Sequence, residues 1–148
     1  MLDQTTLIDS VLQWAVQEIK QLHINGRLRW LSDIEENIAE EAGVKYPFLI
    51  QVFEVDEMPS APPDLKDLAD EFLDPANAAG LTLGYTILIR KGCYSNRLMR
   101  HELRHVAQVD RVGGLRNFMS EYLSQVMTVG YQDAPFEIEA RKFENREN

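Results

Sequence analysis

Two short apolar runs, YPFLIQVFEV at 46–55 and LTLGYTILIR at 81–90, constrain this chain most. Both are rich in aromatic and β-branched residues, which suit a pleated, half-buried surface, and both have the length of one strand. In the second run, Tyr85, Ile87 and Ile89 are expected on one face and Thr86, Leu88 and Arg90 on the other. The rest of the patterned chain repeats at helical spacing. Helices, then a few strands, then helices again predict an α+β fold, with several helices on a small sheet covered on one side.

The helical stretches carry their own start and stop signals. From Thr6 to about Leu22, apolar residues at Leu7, Ile8, Val11, Leu12, Ala15, Ile19 and Leu22 form one stripe, with Thr5 or Thr6 as N-cap and Asn25-Gly26 as the stop. A shorter helix follows Ser32, with Ile34 and Ile38 inward and the glutamates outward, and ends at Gly43. The proline-rich segment 58–80 reads as a connection around one short helix, 64–72, and loops of that length are often functional. A helix from Ser95 to Val112 stops at Gly113-Gly114. Leu115, Phe118, Met119, Tyr122, Leu123 and Val126 stripe the next one. A last helix begins near Asp133-Ala134-Pro135, with Asp133 as N-cap and proline in the first turn.

At 148 residues the chain fits a single domain, 1–148. Residues 1–80 supply a helical scaffold with one strand, and 81–148 carry a strand and the helices that hold the chemistry. A net charge of −9 argues against a phosphate-binding surface, so nucleic acid is not an expected partner. The single cysteine, Cys93, excludes an internal disulfide framework and a cysteine-based zinc knuckle. The N-terminus lacks the basic region and cleavage site of a signal peptide, and no run approaches eighteen apolar residues. A cytoplasmic protein with no membrane partner is the expectation.

The chemistry concentrates in His101-Glu102-Leu103-Arg104-His105. Residues four apart on a helix share a face, so His101 and His105 can present both imidazoles to one ion. Glu102, the next residue round the helix, can reach a water beside that ion without occupying a coordination position. Leu98, Leu103, Val106 and Val109 on the opposite face would anchor the helix. A catalytic zinc needs a third protein ligand. No histidine follows His105, and PFEIEA (135–140) offers two carboxylates, Glu137 and Glu139, between which helical angles do not choose. Tyr131, just before that helix, could donate to a developing oxyanion.

From LTLGYTILIR through HELRH to PFEIEARKFEN, the C-terminal half resembles the gluzincin-type zinc metallopeptidases, particularly the small minigluzincin forms. In that group an edge strand precedes the HExxH helix, and a glutamate ligand lies on a further helix, followed three residues later by a small residue. Glu137 with Ala140 matches this pattern, which makes Glu137 the implied ligand and Glu139 the reserve. The resemblance implies a zincin-like fold with an edge strand beside the active-site helix. It also implies Zn2+ held by His101, His105 and Glu137. Peptide hydrolysis by metal-activated water would follow, with Glu102 as general base and a peptide or protein substrate extended along the edge strand. Two positions depart from the pattern. Arg104 stands before the second histidine, and Arg141 stands where many relatives carry an aspartate that orients a ligand histidine. The alternative is a catalytically weak or inactive zinc-binding domain that acts as a protein-interaction module.

Overall fold

The computed structural model describes residues 3–61 and 78–146. The short helix expected at 64–72 lies outside them. Among the described residues are five α-helices and a four-stranded mixed sheet: α1 (Gln4–Asn25), β1 (Leu28–Trp30), α2 (Asp33–Ala42), β2 (Gln51–Val55), β3 (Gly80–Leu83), β4 (Thr86–Arg90), α3 (Asn96–Val112), α4 (Leu115–Val129) and α5 (Pro135–Glu144). The α+β class holds.

The strands run in the order β1-β2-β4-β3. β1 pairs antiparallel with β2, β2 parallel with β4, and β4 antiparallel with β3, so among the described residues β3 is an edge. The run 81–90 is therefore two strands, not one. Gly84 takes the positive φ of 68° that a two-residue hairpin turn needs, and Leu83 then pairs with Thr86. In the other run, Pro47–Leu49 form a 3₁₀ turn and the strand starts at Gln51. β1 has three exposed residues and no alternation to announce it.

The sheet is covered on both faces, not one. Ile87 and Ile89 pack with Val52 against Ile38, Ala39, Met99, Leu103 and Val106 from α2 and α3. Leu88 and Leu83 pack against Ala15, Trp14 and Leu22 of α1. The expected division of faces holds, Ile87 and Ile89 on one side and Leu88 on the other, but Thr86 to Ile89 are all buried because helices cover both. A further cluster joins Ile8 and Val11 of α1 to Phe118, Leu123 and Val126 of α4 and Phe136 of α5.

The helix ends follow local chemistry. Asp3, rather than Thr5 or Thr6, caps α1, its side chain accepting from the Thr6 amide at 2.8 Å. Ser32 and Glu35 form a reciprocal capping box at α2, and Gly43 closes that helix in the left-handed conformation. Ile38 is buried as expected, but the box inverts the expected orientation at Ile34 and Glu35. Glu35 is buried while Ile34 is 64% exposed, because Glu35 takes a bidentate pair from Arg29 (2.7 and 3.0 Å) and a hydrogen bond from Tyr94 (2.8 Å). Ser95 caps α3 and Gly113 closes it. At α5 the cap position is Ala134, one residue beyond Asp133, with Pro135 in the first turn.

Candidate metal centre

α3 packs between the sheet and α5, and its strongly two-sided sequence sets what each turn offers. Met99, Leu103 and Val106 are buried in the core. The face toward α5 carries His101, His105 and Gln108. α5 answers with Glu137, buried in its first turn.

His101, His105 and Glu137 converge, each offering one ligand atom within 4.8 Å of the others. His101 Nε2 lies 2.9 Å from Glu137 Oε1, His105 Nε2 lies 3.3 Å from Glu137 Oε2, and the two Nε2 atoms are 3.2 Å apart. Two ligands about 2.0–2.1 Å from one ion at a tetrahedral angle stand about 3.3 Å apart, so the spacing already suits a shared metal.

The proton inventory points the same way. Gln108 donates through Nε2 to the Phe136 carbonyl (3.0 Å) and to Glu139 (2.9 Å), which leaves its Oε1 to accept from His105 Nδ1 at 2.7 Å. His101 Nδ1 faces Glu144 Oε2 at 2.8 Å, an acceptor when ionised. Both Nδ1 atoms therefore carry hydrogens, and in the neutral imidazoles both Nε2 atoms are lone-pair acceptors. Two such nitrogens and a carboxylate aimed at one point require a cation or extra protons between them.

The titration of the site reflects that crowding. Burial would push Glu137 up, but hydrogen bonds and charge from His101 and His105 hold it well below the usual carboxylate range. Burial would likewise lower His105, yet Glu137 and the charge of Glu102 outweigh it and hold the imidazole up at about 9. His101 is raised against its own burial, chiefly by the Glu137 hydrogen bond. Tyr122, buried on α4, donates to Glu137 Oε2 at 2.7 Å.

Glu139 goes elsewhere. Its carboxylate takes Arg104 (2.7 and 3.1 Å), Arg111 (2.8 and 2.8 Å) and Gln108, and the Arg111 hydrogen bond leads in lowering it to about 2. Arg104 also donates to the Ala42 carbonyl, so its charge points away from the histidines. Arg141 donates to the Gln132 carbonyl rather than to a ligand.

Glu102 is buried on the side of α3 that faces β3. Thr82 donates to its Oε1 at 2.8 Å. Gly80 makes room for it, since a Cβ there would come within 3.1 Å of Glu102 Cγ and of Leu98 Cδ1. Glu102 is near enough to raise both histidines and Tyr131 by its charge. Tyr131 is half-buried; burial first, then Glu137 and Glu102, push its hydroxyl well above the usual phenol range.

Thr82, Gln108, Tyr122 and Glu144 go beyond the residues picked from sequence. Gln108 stands three after His105, and Glu144 seven after Glu137, so each shares a helical face with a ligand candidate. That spacing was the available signal.

Protein-family models, curated proteins and solved structures yield no match to this chain.

Proposed function

We propose that this protein is a zinc-dependent metallopeptidase with a zincin-like arrangement of edge strand, HExxH helix and glutamate helix. The observation that carries the reading is the convergence of the two imidazole Nε2 atoms and the Glu137 carboxylate, with Glu102 beside them. Two nitrogens and one oxygen suit zinc, and three protein ligands leave a fourth position for water or substrate.

His101, His105 and Glu137 would hold the ion. When bound, zinc would lower the pKa of a water and polarise a carbonyl. Glu102 would act as general base. With Oε1 engaged by Thr82, Oε2 is the oxygen left to take a proton from the attacking water and return it to the leaving amine. Tyr131 would stay protonated at neutral pH and so could donate to the developing oxyanion. β3, as an edge strand against the same helix, would align an extended peptide backbone.

Glu102→Gln tests the assignment. The variant should bind zinc like the parent yet lose cleavage of a mixed peptide library by at least about a hundredfold. Cleavage at the parental rate would remove Glu102 from the mechanism.

A further inference from the structure

Every ligand imidazole needs its second nitrogen held, and the residue at 141 does not do this here. We propose that Glu144 is the positioning residue for His101, and that α5 thereby supplies both a ligand, Glu137, and the group that aims the opposing ligand. The inference rests on the metal-centre reading above.

The geometry is specific. Glu144 stands seven residues, about two helical turns, after Glu137, so both carboxylates lie on the same face of α5. Glu137 meets His101 Nε2 at 2.9 Å while Glu144 meets the same ring's Nδ1 at 2.8 Å. The imidazole is thus held at both nitrogens by one helix. Glu144 is itself oriented, since Arg97, one turn before His101, donates to its other oxygen at 3.2 Å.

The two histidines are held differently. His105 Nδ1 donates to the neutral amide oxygen of Gln108, within its own helix. His101 Nδ1 donates to a carboxylate on another helix. A carboxylate partner fixes the ring and raises the basicity of the coordinating nitrogen more than an amide does. Glu144 therefore makes His101 the stronger donor and ties metal affinity to the docking of α5 on α3.

The test is zinc affinity by competition with a chromophoric chelator, on the full chain, together with the visible spectrum of the cobalt-loaded protein. Glu144→Ala should weaken zinc by roughly 10–100-fold and alter the cobalt bands. Glu144→Gln, which keeps the shape and an acceptor oxygen without the charge, should fall between Glu144→Ala and the parent. If the parent binds zinc and both Glu144 variants match it in affinity and cobalt spectrum, the positioning role is overturned while the metal centre stands. If the parent binds no zinc, both fall.

Discussion

Thr82 on the edge strand and Glu102 on the HExxH helix are joined by a buried hydrogen bond of 2.8 Å, twenty residues apart in sequence. Glu102 is thereby held by the strand that would align the substrate. Thr82→Val keeps the shape and removes the donor, leaving a carboxylate oxygen without its partner. The variant should lose roughly 1–3 kcal/mol, read from the urea midpoint, and Thr82→Ser should recover most of it. A valine variant as stable as the parent would show that the bond contributes nothing.

Gln108 is fully buried and serves His105, the Phe136 carbonyl and Glu139 at once. Gln108→Leu fills a similar volume and deserts all three. Stability should fall by roughly 1–3 kcal/mol and zinc affinity by about tenfold or more. Chemical denaturation and a chelator competition measure the two effects separately, and unchanged affinity would leave Gln108 with a packing role alone.

Away from the centre, Glu35 sets an acid limit on the fold. Burial opposes its charge, but Arg29, the Ser32 amide and Tyr94 hold its pKa at about 2, against an ordinary 4.5. A carboxylate with a lowered folded pKa stabilises above its unfolded value, and that contribution fades as pH drops from about 4.5 to about 2. Glu35→Gln should therefore be less stable than the parent at pH 7, by about 1–3 kcal/mol, since half-exposed Arg29 is partly screened. The gap should close as pH falls through that window. A constant gap across urea melts at pH 7, 4 and 2.5 would contradict the assignment.

The parts legible in the sequence were those that depend on one element. The long helices and their stops follow from apolar stripes and from Ser95 and Gly113, and the histidine pair was visible because both members ride one helix. Choices that need a neighbour were not legible. Glu137 and Glu139 sit at similar edges of the α5 stripe, and Arg104, Arg111 and Gln108 are what divert Glu139. Ile34 faces solvent because Arg29 and Tyr94, from outside α2, draw Glu35 inward. Gly84 inside an apolar run was a signal for a break, and its reading as a continuous strand merged an edge strand with a central one.

The central claim is that His101, His105 and Glu137 form a metal site, and zinc stoichiometry with thermal stability tests it most directly. Protein purified without chelator, and stripped protein titrated with zinc, should each reach one zinc per chain by elemental analysis. Melting should shift upward by several degrees at zinc about a hundredfold above Kd. His101→Ala should lose both the bound metal and the shift. Parent protein that carries no metal and melts at the same temperature with and without zinc would contradict the account.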